Sequence, residues 1–147
     1  MMFNLNEIMS TDVITVPLSA SLAEARLLMK ENQFHHLPVV NDGGGFVGLL
    51  TQTDVLAATD SILRDAENRV RARSIPIEDV MVRNVATVDE DASVRQAALF
   101  LEKHRIGCLP VVTDGKLVGI ITDTDFVAIA INLLEQLEEL EPVSILD

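Results

Sequence analysis

The stretch VGLLTQTD, Val47 to Asp54, returns as VGIITDTD at Val118 to Asp125, with the Gly, both Thr and the final Asp kept. Only apolar letters and one polar letter change, Gln52 becoming Asp123. Sliding the chain by 72 positions extends the match to Met9 with Met81, Val13 with Val85, Thr15-Val16 with Thr87-Val88, Ala20-Ser21 with Ala92-Ser93, and LPVV at 37–40 with LPVV at 109–112. One extra residue in Gly43–Gly45 then shifts the offset to 71, at a turn, where insertions are best tolerated. The chain is an internal repeat.

Each copy reads as the same series of elements. A short β-branched segment, VITV at 13–16 or VATV at 85–88, leads through polar residues to a helix. The helix start is marked by Ser21-x-x-Glu24 or Ser93-x-x-Gln96, both capping-box patterns. Leu22, Ala25, Leu28 and Met29 in one copy, and Val94, Ala97, Ala98 and Leu101 in the other, keep helical spacing. The strand LPVV, an Asp-Gly turn at Asp42-Gly43 or Asp114-Gly115, and the strand FVGLL or LVGII then form a hairpin. A second helix follows, from 53 to about 72 and from 124 to about 140. The predicted fold is α+β: two β-α-β-β-α repeats, residues 1–72 and 73–147, packed about a pseudo-twofold axis because one such unit has too little core alone. Pro76 in the linking segment RARSIPIED, 71–79, keeps the helix from running on.

Composition narrows the function. With 147 residues and 48% hydrophobic content the chain can fill a globular interior, yet no apolar run reaches the ~18 residues of a membrane span. The opening MMFNLNEIMS lacks the pattern of a secretory signal, and a single cysteine, Cys108, agrees with a reducing compartment, so the cytoplasm is expected. A net charge of −12 and the absence of Trp and Tyr disfavour nucleic acid and anionic membranes as partners. Nothing resembles a nucleophile with its base or a Gly-rich phosphate loop followed by Lys, so no enzymatic activity is expected.

Met9 and Met81 at the entry of each copy, the LPVV strands and the endings Gly48–Asp54 and Gly119–Asp125 together resemble the cystathionine-β-synthase (CBS) domain, here as a tandem pair or Bateman module. The resemblance implies a regulatory protein that binds an adenosine-containing ligand in clefts between the repeats: AMP first, then ADP or ATP, with NAD-type molecules and S-adenosylmethionine also in range. It implies a homodimer that signals to a protein effector not named by the chain. It assigns phosphate contacts to Thr51 and Thr122 and ribose contacts to Asp54 and Asp125. The base falls to Asp12, Val13 and Ile14 with His36, Leu37 and Pro38, and to Asn84, Val85 and Ala86 with Cys108, Leu109 and Pro110. No metal or catalytic residue is implied.

The chemistry of these residues admits two readings. A strand ending in T-x-T-D at a helix start aims free N–H groups and a positive dipole end at a phosphate, and a carboxylate can accept both hydrogen bonds of a ribose diol. The same residues also make a helix N-cap with an acid in the first turn, which needs no ligand. Gly48 and Gly119 leave room for a ligand or for another backbone. Arg64, Arg69, Arg71 and Arg73 form a basic cluster that suits either a polyphosphate or a solvated helix face paired with Asp60, Asp65 and Glu67. The last helix carries a long apolar stripe (Phe126, Ile129, Ala130, Leu133, Leu134, Leu137, Leu140) fit for a dimer interface, and outer acids at Glu135, Glu138, Glu139 and Glu141. The rival readings are a ligand-free dimeric adaptor and, with least support, a metal or redox sensor using His35, His36 and Cys108.

Overall fold

The computed structural model describes residues 4–60 and 75–141. The chain opens with α1 (Leu5–Ile8), then β1 (Val16–Pro17), α2 (Leu22–Asn32), β2 (His36–Val40), β3 (Phe46–Thr51) and α3 (Gln52–Asp60). The second copy follows with a 3-10 turn (Ile77–Asp79), α4 (Val94–His104), β4 (Cys108–Thr113), β5 (Lys116–Thr122) and α5 (Asp123–Leu140). The expected boundary at 72/73, the rest of the helix expected to reach about 72, and the arginine cluster lie outside the described residues.

Local rules account for the elements. Ser21 and Ser93 cap α2 and α4, their hydroxyls accepting from the N–H of Glu24 at 3.1 Å and of Gln96 at 3.0 Å. Both helices end on a left-handed residue, Gln33 (φ 57°) and Arg105 (φ 52°). Leu22, Ala25 and Met29 face one core and Ala97 and Leu101 the other, as their spacing predicts. The hairpins β2–β3 and β4–β5 are antiparallel, each with an irregularity next to the residue that faces Gly48 or Gly119. Their turns differ. Asp114 (φ 53°) and Gly115 (φ 78°) make the expected two-residue turn. In the first copy the left-handed residue is Gly44 instead (φ 80°), because the Asn41 carboxamide gathers the N–H groups of Gly43 and Gly45 into a wider loop.

The β-branched segments contribute less sheet than expected. β1 pairs in parallel with β2 through Val16 and Pro17 only, and its counterpart is one parallel bridge, Val88 to Val111. The reason lies upstream, where the chain crosses from one repeat to the other before joining the sheet. Ser10 pairs with Ile120 of β5 through two 3.0 Å backbone hydrogen bonds, and Val82 pairs with Leu49 of β3 in the same way. Leu5 is wholly buried among Ala97, Leu101, Leu109 and Ile121 of the second repeat, while Ile77 and Met81 are buried among Val16, Leu37, Leu50 and Val55 of the first. Each entry segment thus completes the other repeat's core, and the reciprocity is the pseudo-twofold relation itself. It also answers for the repeated glycines. A Cβ on Gly48 would lie 2.6 Å from the Met81 sulfur, and one on Gly119 would lie 2.5 Å from that of Met9. The room is taken by the entry methionines rather than by a ligand.

Candidate clefts between the repeats

The second copy of the opening stretch begins α5 with a closed set of hydrogen bonds. The Thr122 hydroxyl accepts from the Asp125 N–H at 3.3 Å and the Asp125 carboxylate accepts from the Thr122 N–H at 2.9 Å, a full capping box. The Asp123 N–H donates to the Gly107 carbonyl at 3.3 Å, and the Thr124 N–H donates to the Asp123 carboxylate at 2.9 Å. In the first copy, Thr51 accepts from the Asp54 N–H at 3.1 Å and the Gln52 N–H donates to the His35 carbonyl at 2.8 Å. There the Asp54 carboxylate makes no return bond to Thr51. Capping therefore occupies both threonines, and in the second copy it occupies the aspartate as well.

Two clefts open between the repeats. The first, about 550 Å³, is walled by Asp12, Val13, Ile14, His36 and Pro38 from the first copy and by Thr122, Asp123, Thr124 and Asp125 from the second. The second, about 610 Å³, sets Thr51 and Leu49 of the first copy against Asn84, Val85, Ala86 and Cys108 of the second. The crossing of the entry segments causes this pairing: each T-x-T-D end meets the base-side residues of one copy across the repeat boundary. Asp54 lines neither cleft. Leu37 and Leu109 are wholly buried core residues, and Pro110 lies buried in β4, so none of the three walls a cleft.

Other residues of the walls carry no motif. Gln33 and Phe34 enter the first cleft; Phe100, His104 and Arg105 enter the second, where the Phe100 and His104 rings pack with centroids 4.2 Å apart. Gln33 and Arg105 occupy the same place in the two copies, so comparing the copies position by position would have exposed them. His36 and Gly107 line both clefts, and a Cβ on Gly107 would touch the His36 ring at 3.4 Å. His36 titrates below the ordinary histidine value because burial disfavours its charge and His35 adds to that effect, against the opposing pull of Asp123. It stands between the clefts as a mostly neutral ring at pH 7.

Cys108 is 3% exposed, and its thiol is pushed up to about 12 by burial first and then by Asp123 and Asp125. Such a thiol holds its proton at neutral pH and makes a poor nucleophile or metal ligand. No group of three or more metal-ligating side chains occurs among the described residues. In the folded protein Cys108 is expected to react with a disulfide reagent at pH 8 at least about 100-fold more slowly than in denaturant, a ratio set by thiolate fraction and access. Equal rates in both states would contradict the burial. The raised value also fixes a sign: this group's stability contribution is present below 9.0 and is lost as pH climbs toward about 12.

Comparison with known proteins agrees with this architecture. A family model described as the CBS domain matches residues 5–61 and 77–132. A CBS domain-containing protein of Dictyostelium discoideum is 30% identical over 133 residues, covering 88% of this chain and 92% of that one. Other curated relatives are much longer, and the chain spans only 21% to 40% of their length. Among solved structures, a candidate acetoin utilization protein (AcuB) from Vibrio cholerae is 39% identical with a TM-score of 0.81, covering 97% of this chain and 100% of that one. CBSX2 solved with AMP is 26% identical with a TM-score of 0.75, over 89% of this chain and 98% of that one. The pair from protein MJ0100, solved with 5′-methylthioadenosine and S-adenosylmethionine, is 30% identical with a TM-score of 0.75, over 90% and 99%.

Proposed function

This chain belongs to the CBS-domain family, as two copies in tandem, and on that premise we propose that it is a regulatory module that binds an adenosine-containing ligand between its repeats and signals to a protein effector. AMP leads the list of ligands, ahead of ADP and ATP, and the reading assigns no catalytic step. The observation that carries it is the composite cleft, in which one copy's T-x-T-D helix end faces the other copy's entry segment across about 550 Å³. A nucleoside seated there touches both repeats, so its binding energy acts on their relative placement. Neighbours with this architecture bind AMP in one case and 5′-methylthioadenosine with S-adenosylmethionine in another. Base contacts fall to Val13, Ile14, His36 and Pro38, and to Val85, Ala86 and Cys108. Thr51, Thr122 and Asp125 hold the ribose or its substituent, and Asp54 serves only after turning its carboxylate toward a cleft.

The module acts as a homodimer in the cytoplasm in this reading. α5 has no buried residue, and Val127, Ile131, Leu134 and Leu137 stand 53–58% exposed along it. Spaced four, three and three residues apart, they form one exposed apolar stripe, the kind of surface that marks an interaction site. Ile131→Glu with Leu134→Glu is expected to shift the protein from dimer to monomer, with an increase in dissociation constant of about 100-fold or more, read by sedimentation equilibrium. Among the described residues no helix is long and apolar enough to cross a membrane.

The test of ligand binding is thermal melting against AMP, ADP, ATP, 5′-methylthioadenosine and S-adenosylmethionine. A ligand at ~100 times its dissociation constant adds about 2.7 kcal/mol of stability, a shift of several degrees for a domain of this size. A flat response across the panel would remove the nucleotide reading and leave the dimeric adaptor.

A further inference from the structure

The one polar letter exchanged between the two copies of the opening stretch falls in a cleft wall, and it does not change alone. At three equivalent positions the first cleft carries Asp12, Gln33 and Asp123, where the other copy has Asn84, Arg105 and Gln52. Every exchange makes the first cleft more negative. Among the described residues, with Asp125 it holds three carboxylates beside His35 and His36 and no Lys or Arg; the second holds Arg105, His104 and His36 and no carboxylate. Gln52 itself turns away, its carboxamide oxygen 2.7 Å from His35 Nδ1.

From this pattern we infer that the clefts are sorted by charge: the Asp123 cleft takes an adenosine ligand whose 5′ substituent is neutral or cationic and carries no phosphate, and phosphate is left to the Arg105 cleft. The inference rests on the reading of both clefts as nucleoside sites.

Two independent features support it. The first is the hydrogen-bonding state of the α5 end. The four N–H groups from Thr122 to Asp125 are all taken, by Asp125, Gly107, Asp123 and Thr122 in turn, so a phosphate would find no free backbone donor there. The second is Coulombic. Asp123 and Asp125 already complement the positive end of the helix dipole, so a phosphate entering among three carboxylates meets net repulsion, while a sulfonium or ammonium group meets attraction. At the other cleft the Gln52 and Asp54 N–H groups are likewise taken, and the difference is one of charge. Arg105 can offer two parallel N–H donors to one phosphate, and the one acid in the first turn of α3, Asp54, returns no bond to Thr51 and lines neither cleft.

The copies themselves supply the test. Asp123→Gln, Arg105→Gln and Asp12→Asn each install a residue of the kind the other repeat carries at that place or, for Arg105→Gln, at Gln33. Isothermal titration of the full chain would use AMP, 5′-methylthioadenosine and S-adenosylmethionine. Arg105→Gln is expected to weaken AMP by about tenfold or more and to leave 5′-methylthioadenosine unchanged. Asp123→Gln is expected to weaken S-adenosylmethionine by about tenfold and to leave AMP unchanged. Asp12→Asn, on an exposed residue outside the cap, should act on S-adenosylmethionine in the same direction and guards against a loss of fold at Asp123. Two equivalent AMP sites, or S-adenosylmethionine binding indifferent to both aspartate variants, would overturn the charge sorting and leave the nucleoside reading standing. No heat with any of the three ligands would overturn the nucleoside reading, and the sorting with it.

Discussion

Leu5→Ala is expected to lower the stability of the protein by about 2–5 kcal/mol, although Leu5 sits in a four-residue helix near the start of the chain. A helix that short has no stability of its own, so its sequence neighbourhood predicts little effect. The expectation comes from where the side chain ends. Leu5 is wholly buried among Ala97, Leu101, Leu109 and Ile121, and truncation leaves a cavity between strands and helix of the second repeat. The loss should therefore appear first in amide exchange of β4 and β5, more than 100 residues away in sequence. Ile77→Ala is the mirror experiment and should expose β2 and β3. If Leu5→Ala melts like wild type, or loosens only the first repeat, the reciprocal exchange of entry segments is wrong.

Gly119→Ala tests the same exchange from the other side and is expected to destabilise by about 1–3 kcal/mol, the ordinary cost of overpacking. In an isolated strand the change would be mildly favourable, since glycine weakens strands. Here the added methyl carbon would lie 2.5 Å from the Met9 sulfur and 3.1 Å from the Ser10 carbonyl oxygen. The thioether can swing aside, but the carbonyl is held by the two hydrogen bonds between Ser10 and Ile120. Combining Gly119→Ala with Met9→Ala should recover part of the loss, with a coupling of about 0.5–3 kcal/mol in a urea-denaturation cycle. Strict additivity would mean that the two residues do not meet.

The repeat, the capping serines and the hairpins were legible because each is written locally, in spacing and in turn chemistry. Ser21 and Ser93 cap where the pattern says, and Asp114-Gly115 turns as an Asp-Gly pair should. The exchange of entry segments was not legible. Nothing local to Leu5 or Ile77 says which core receives it, since either core would bury a leucine or isoleucine equally well. That choice is made by the crossing of the chain between repeats, and it decides which residues share a cleft. Motif reasoning therefore reached Thr51, Thr122 and Asp125 but also reached Asp54, Leu37, Leu109 and Pro110, which wall no cleft. It passed over Arg105 and Asp123, whose meaning lies in the difference between the copies rather than in what they share.

The most direct test of the central claim is to follow backbone amide resonances of the full chain while adding 5′-methylthioadenosine and AMP in turn. Ligand binding in composite clefts predicts that 5′-methylthioadenosine moves signals of Val13 and Ile14 together with Thr122 to Asp125, and that AMP moves Val85 and Ala86 together with Thr51. Shifts confined to a single repeat, or none at millimolar ligand, would contradict it.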